Sequence, residues 1–351
     1  MAIQFTSYTP ESHIPDLPGS NTFHSTELFR VYASTRHYHP ILVVGREGDV
    51  VLCKLLAVVK RSDRLLSALF FHRCEIYGEG EYFLDDAHTD AHTDVDTDIC
   101  TDAHTDASPL YSRDCLFAQM LEHLTREVEP YCFIIEFRNL STPLFGFRSF
   151  RQQHYFAINW LRVYNSLHSV AQAEEYFSPS RLRQVKKGLA AGAQVSEART
   201  LSEVEAFARM LRHNYSWKIR RHFPSPEFFK QVLLLDADNC RAKVFIVTYE
   251  GTVIGGSMCF YSHDRAYLWF SGGYRKGYVA QCPGVLAVWG AMREAKAAGY
   301  RHFEFSDVGL PFRAHGYREF VLRFGGRQVS TRRWFRFRWR WLNSLLRRFY
   351  D

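Results

Sequence analysis

The sequence predicts an α/β protein built from one unit used twice. Three observations carry this: two hairpins of one design, the same order of elements after each, and an apolar strand with Glu-Phe at the same place in both. "ILVVGREGDVVLCKLLAVV" (41–59) sets two Val/Ile/Leu-rich runs around Glu47-Gly48-Asp49. "AKVFIVTYEGTVIGGSMCFY" (242–261) repeats the design around Glu250-Gly251-Thr252. An acidic residue followed by Gly between such runs marks a tight hairpin, because Gly accepts the positive φ that the turn requires.

After the first hairpin come strand-like "LLSALFFHRCEIYG", helix-patterned "RDCLFAQMLEHLTREV" and the strand "CFIIEFRN". After the second come "RAYLWFSGGY", "GVLAVWGAMREAKAAG" and "HFEFSDVG", so Glu136-Phe137 and Glu304-Phe305 are equivalent. Each unit should be a mixed sheet with packed helices, the first over 22–165 and the second over 166–335. An extension (1–21) precedes them and a basic aromatic segment (336–351) follows. Helical periodicity at 27–34, 174–190, 201–213 and 225–236 completes the pattern, the last with Pro in its first turn after "FPSP".

The first copy is longer between hairpin and Glu136, and most of the excess is "AHTDAHTDVDTDICTDAHTD" (87–106). His88, His92 and His104, with Asp96 and Cys100 at the same period, are metal-ligand types. A metal site needs unequal spacings on a rigid scaffold, with outer groups orienting the ligands, and strict repetition offers neither. Thr and Asp are poor helix formers, and Asp at every fourth position repels along a helix face. The run reads as a loop lengthened by tandem duplication, with no metal expected in the protein. Deleting 87–106 should leave folding and activity nearly intact.

With 351 residues, 46% hydrophobic and rich in Phe and Tyr, the chain can bury a large core and is not a disordered polymer. The formal charge is +7, and since eight Asp are concentrated in 85–106, the remainder is strongly basic. That suits an anionic partner such as phosphate, nucleic acid or a membrane surface. The eight cysteines form no Cys-x-x-Cys pair, and Cys53 and Cys259 sit in apolar runs as small hydrophobes. No secretory leader pattern opens the chain and no run of 18 apolar residues occurs, so a cytoplasmic location is expected.

The order hairpin, strand, helix, strand resembles the core of the GNAT acyltransferase superfamily, and its tandem use resembles the FemAB family. The residues that carry this are "SPSRLRQVKKGLAAGAQVSEA", "GYRHFEFSDVG" and the closing "GYREFVLRFGGRQV" in the second half, with "NTFHSTELFRVY" and "IIEFRN" in the first. The resemblance implies transfer of an aminoacyl or acyl group to an amine, with aminoacyl-tRNA or acyl-CoA as donor and no tightly bound cofactor. The acceptor it implies is a phosphate-bearing cell-wall precursor. A coenzyme A-dependent N-acyltransferase and a non-catalytic scaffold for anionic lipid or nucleic acid are the competing readings. Three family features are missing. Val321 stands where many relatives have Lys, with Arg323 expected on the same side of a strand. The long coiled-coil arm of some tRNA-using FemAB members is absent, and its absence with that of the lysine weighs against aminoacyl-tRNA as donor. The turn "RKGYVAQCPGVL" also lacks the Gly spacing of coenzyme A-binding relatives, and Pro283 removes an amide donor.

Amine acylation needs a proton acceptor, stabilisation of the oxyanion and a held donor. Glu304 and Asp307, at the end of a central strand, are the candidate base or amine-orienting carboxylates, and Tyr278 is a candidate proton donor. Arg183, Lys186 and Lys187 share one face of a basic helix that also carries Arg181. These four, with Arg275, Lys276, Arg318 and Arg323, are the candidate phosphate-binding groups. In "RRWFRFRWRWLNSLLRRFY" (332–350), Phe335, Phe337, Trp339 and Trp341 alternate with Arg336, Arg338 and Arg340, the period of a half-buried strand. Its Arg and Trp content also suits peripheral membrane contact.

Overall fold

The computed structural model describes residues 2–61, 72–84, 112–215, 223–235 and 241–350. The tetrapeptide run lies outside them. The chain divides into two compact units, each assembled from separate stretches of sequence.

Unit 1 comprises Met1–Gly19, His39–Ile158 and Arg333–Asp351. Its sheet runs in the order β1 (Gln4–Tyr8), β2 (Tyr38–Glu47), β3 (Val50–Lys60), β4 (His72–Tyr77) and β6 (Cys132–Arg138), then the last residues of β13 (Arg327–Phe337). A short β5 (Glu81–Tyr82) pairs with β3 off this path. β4 and β6 are parallel and the crossover between them contains α2 (Arg113–Val128). Ser112 caps this helix, and Leu116, Phe117, Met120, Leu121, Leu124 and Val128 are fully buried on its inner face. Each such side chain contributes roughly 1.5–3 kcal/mol relative to exposure. The short α3 (Phe147–Gln152) brings Phe150 against Phe117 and stacks it on Trp334.

Unit 2 comprises Ser20–Tyr38 and Asn159–Arg332. Its strands run β7 (Phe156–Ser166), β12 (His302–Phe305), β11 (Arg265–Gly273), β10 (Thr252–Ser262), β9 (Ala242–Tyr249) and β8 (Gln194–Glu197). The β9–β10 turn is the two-residue hairpin that Glu250-Gly251 predicts, both at positive φ (47° and 73°). Helix α7 (Pro283–Ala297) covers β9 to β11 with Leu286, Ala287, Val288, Ala291, Met292 and Ala295. Its close approach depends on Gly255, where a Cβ would lie 2.9 Å from the Pro283 carbonyl oxygen. The remaining helices are α1 (Thr26–Ala33), α4 (Pro179–Ala190), α5 (Leu201–Asn214), α6 (Pro226–Leu235) and α8 (Gly316–Leu322).

Each unit is thus a mixed sheet with packed helices, as expected, but the linear division at 165/166 is not how the chain packs. Residues 20–38 join unit 2, because the apolar face of α1 finds its partner there: Tyr32 lies 5.7 Å from Phe228 of α6. Phe23 just before it packs edge-on to Tyr267. Residues 159–165 of β7 also belong to unit 2, where they pair with β12, and 333–351 return to unit 1.

Three local expectations change. The helix expected over 174–190 begins at Pro179, where Ser178 caps it and Pro enters the first turn. The closing segment is helical over Gly316–Leu322 rather than a strand, so Val321 and Arg323 do not share a face. Val321 is buried in the core, and Arg323, the residue that ends the helix, is exposed. In the tail, "LNSLLRRFY" is helical as its sequence allows, within Arg340–Tyr350, α9. β13 ends at Phe337, so Trp339 and Trp341 do not continue the expected strand face. Trp334 and Arg336 are its more buried strand face, because Arg336 donates to the Gln153 carbonyl and to Glu129.

Candidate active site

Glu304 sits on β12 between β11 and β7, and its side chain is fully buried. Tyr267 faces it on β11 and Tyr164 faces it on β7. Arg265 and Arg162 each lie two residues before those positions, so strand alternation puts both guanidinium groups on the Glu304 side of the sheet. Arg162 donates to both carboxylate oxygens at 2.9 Å, and Arg265 donates to Oε1. Both oxygens are therefore occupied, and Glu304 is a strand-locking anchor rather than a group facing a substrate.

Unit 1 repeats the device at the equivalent Glu136, also fully buried. Here Glu75 on β4 and Phe335 on β13 face the carboxylate. Arg73 and Arg333, again two residues earlier on each strand, pair with it. Arg138 adds a third guanidinium at 2.8 Å.

Beyond the anchors the units differ. In unit 1 the parallel ladder runs from His72–Cys132 to Tyr77–Arg138. In unit 2 the β11–β12 ladder stops at Tyr267–Glu304 after three pairs, while β11 continues to Gly273. The two strands therefore part just past Glu304. Asp307 lies at this opening, exposed, with its Oδ1 accepting from Trp160 Nε1 at 3.1 Å. Its counterpart in unit 1, three residues after the anchoring Glu, is Asn139, whose amide donates to the Thr142 and Phe145 carbonyls.

Two tyrosines border the opening from β11. Tyr215 donates to the Ser271 carbonyl at 3.0 Å, and Tyr317 lies beside the Ser271 side chain. Burial raises the pKa of both phenols, so both stay protonated at neutral pH. Asp307 is within electrostatic reach of Tyr317, and Arg275 of Tyr215. Arg318 shapes the loop after Asp307 by donating to the Leu310 and Arg313 carbonyls, at 2.8 and 2.7 Å.

The residues singled out from sequence therefore separate. Asp307 is held by Trp160 and lies within electrostatic reach of Tyr317, and Arg275 lies within reach of Tyr215, which bonds Ser271; the sequence marked none of Trp160, Tyr317, Tyr215 and Ser271. Lys276 is exposed on the turn that carries Arg275. Glu304 and Arg318 are structural supports. Tyr278 packs with Tyr249 and Tyr274 in a separate aromatic group. Arg181 is buried, donates to Gln184 and the Phe320 carbonyl, and lies over the Phe320 and Phe324 rings, so its guanidinium braces the closing segment. Burial, reinforced by nearby Arg323, lowers its pKa to about 10. Arg183, Lys186 and Lys187 are exposed along α4, as their spacing predicts.

The start of α7 is the place where a donor phosphate would meet backbone amides. Pro283 has no amide hydrogen, and Val285 N–H donates to the Cys282 carbonyl. Of the first three helical positions, that leaves the amide of Gly284. Arg275 and Lys276, on the turn that precedes this helix, and Arg323 are exposed.

Residues 179–313 match the family model described as an acetyltransferase (GNAT) domain, and this stretch holds both the β11–β12 opening and Asp307. That stretch is therefore a GNAT-type domain. The whole chain has the FemAB-like tandem GNAT fold: a crystal structure of FemX superposes with a TM-score of 0.58 at 9% identity, over 95% of either chain. A tandem GNAT protein from the clavulanic acid biosynthesis pathway gives 0.54 at 10% identity, over 96% of this chain and 99% of that one. The C-terminal domain of a protein assigned as a lysylphosphatidylglycerol synthetase, from Agrobacterium fabrum, gives 0.51 at 10%, over 93% and 90%. No curated protein sequence matches the chain. Among the described residues no helix is long and apolar enough to cross a membrane, and no cluster of His, Cys, Asp or Glu is placed to hold a metal.

Proposed function

We propose that unit 2 transfers an aminoacyl or acyl group from an activated donor to the amine of a phosphate-bearing acceptor. The observation that carries this is the early end of the β11–β12 ladder beside the exposed Asp307. Parting strands leave a slot in which an extended donor can lie against β11, and the carboxylate stands at its mouth. The acceptor nitrogen attacks the donor carbonyl carbon and gives its proton to Asp307. The carbonyl oxygen becomes an oxyanion, which the neutral phenol of Tyr317 is suited to meet with a hydrogen bond. Collapse of the intermediate breaks the donor's ester or thioester bond, and the leaving oxygen or sulfur takes up the proton that Asp307 received, which restores the carboxylate.

The leading donor is an aminoacyl ester, as the FemX-like fold suggests, with a phosphate-bearing cell-wall precursor as acceptor. The sparse amide set at the start of α7 favours this over coenzyme A, whose pyrophosphate would want more backbone donors. Arg275, Lys276 and Arg323 offer side-chain charge to a phosphate of either donor. Unit 1, with its β4–β6 ladder closed through Tyr77–Arg138 and Asn139 in place of a carboxylate, has no corresponding slot and serves as the supporting copy.

The test is transfer of radiolabel from charged tRNAs or from acetyl-CoA to a lipid-linked muropeptide, with wild type and Asp307→Asn. Transfer from charged tRNA, lost in the variant, supports the reading. Transfer only from acetyl-CoA would move the assignment to a coenzyme A-dependent N-acyltransferase. No transfer from either donor would leave a binding scaffold.

A further inference from the structure

The segment after β13 is displayed by an arrangement that the transfer chemistry does not use. Asn343, buried, accepts from Phe337 N–H and donates to the Phe337 carbonyl, both at 2.7 Å, so one side chain completes the backbone pairing of the strand's last residue. Trp339 packs edge-on to Phe133, and Tyr350 at the other end of α9 stacks on Phe156. The helix is thus fixed in orientation at both ends and at its first turn.

What it turns outward is apolar. Trp341, Leu345 and Phe349 recur every four residues and are 66%, 46% and 75% exposed, and Trp339 stacks on Trp341 to extend the stripe. Core-forming side chains arranged this way on a pinned helix point to an external surface as their counterpart. The flanking charge is of one sign: Arg338, Arg340 and Arg348 are exposed, and residues 320–350 contain no Asp or Glu. A helix with an aromatic and aliphatic stripe edged by Arg matches the boundary of an anionic bilayer, where rings sit among headgroups and guanidinium groups meet lipid phosphates.

We infer that α9 with Trp339 is a membrane-docking face that seats unit 1 on an anionic lipid surface, the stripe Trp341–Leu345–Phe349 entering the interface. This holds independently of the donor and acceptor proposed above.

The full chain, with Trp341→Ala/Phe349→Ala and Arg340→Ala/Arg348→Ala double variants, is sedimented with phosphatidylglycerol–phosphatidylcholine vesicles and with pure phosphatidylcholine vesicles. Wild type should bind the anionic vesicles, with a blue shift of tryptophan emission and weakening by salt. The aromatic pair should cost at least tenfold in affinity, and the Arg pair should remove most of the preference for anionic over neutral vesicles. All substituted side chains are exposed, so melting temperature should be unchanged, and transfer to a soluble acceptor should persist. Absence of vesicle binding by wild type, or equal binding by the aromatic variant, overturns the inference. A wild-type dimer that the aromatic variant dissolves, without vesicle binding, would assign the stripe to a second copy of this chain instead.

Discussion

Arg162 donates to both carboxylate oxygens of Glu304 at 2.9 Å, and Arg333, at the same register offset in the other unit, donates to Oε1 of Glu136 at 3.1 Å. A buried carboxylate between guanidinium groups from two neighbouring strands ties three strands together at one point. Removing one member strands the others without compensation. Glu304→Gln and Glu136→Gln should each destabilise the protein by about 3 kcal/mol in chemical denaturation. At temperatures where the Glu304 variant stays folded, its transfer rate should remain near wild type. A selective loss of kcat with unchanged stability would return Glu304 to the list of reacting groups.

Asp307→Asn should show the opposite pattern. The side chain is exposed, so the change in stability should stay within about 0.5 kcal/mol, while kcat falls by roughly 10²-fold for loss of a positioned proton acceptor. Steady-state kinetics beside a thermal melt reads both.

Tyr317→Phe removes a hydroxyl but little packing. Burial raises the pKa of this phenol, so it remains neutral from acid to mildly alkaline pH. The variant should lose about tenfold in kcat, roughly one hydrogen bond to a developing charge. The pH–rate profile should keep its shape, since no titration of Tyr317 contributes to it.

Val321→Lys, which installs the residue that many relatives have at this position, should not raise activity. Val321 is fully buried among apolar neighbours on α8, so the ammonium would be unpaired in the core. The expected cost is roughly 3 kcal/mol or more. Arg323→Ala, at an exposed position, should leave stability unchanged and raise KM for the phosphate-bearing donor.

Acid stability should depend on Glu75. Burial alone would raise its pKa, but Lys60, Arg138 and Arg73 together hold the carboxyl well below the usual range. With the folded pKa below the unfolded value of roughly 4.3, the unfolded chain binds the proton first as pH falls. Glu75 therefore contributes stability above that pH and loses it progressively through the folded pKa. Glu75→Gln should be less stable at pH 7, and its stability should fall less steeply below pH 4 than that of wild type.

Much of this was legible in the sequence, and the rest fails for identifiable reasons. The two hairpins, the crossover helices and the equivalence of Glu136 with Glu304 follow from local patterns, since a Glu inside an apolar strand stands out. The guanidinium groups that hold these carboxylates do not, because Arg162 and Arg265 arrive on strands distant in sequence and their register is set only by folding. Asp307 was readable beside its strand, whereas Tyr215 and Tyr317 are two among many tyrosines. "EFVLRF" reads as a strand but forms the end of a helix, and Gly325 turns the chain just beyond it at φ of 83°. In the tail the period was right and the buried face was not, since Arg336 reaches Glu129 and the Gln153 carbonyl.

The assignment of Arg333–Asp351 to unit 1 has a consequence for synthesis on the ribosome. The strand that delivers Arg333 to Glu136, and Trp334 to the ring of Phe150, is translated after every residue of unit 2. Unit 2 has its whole sequence once Arg332 has emerged, whereas unit 1, begun first, gains its final strand only after that. Until then Glu136 lacks one of its three guanidinium partners, Arg333, and the ring of Phe150 lacks Trp334. Domains usually mature from the N-terminus onward. Here the order is reversed, and a nascent chain stalled near residue 330 would expose the unfinished edge of the older unit.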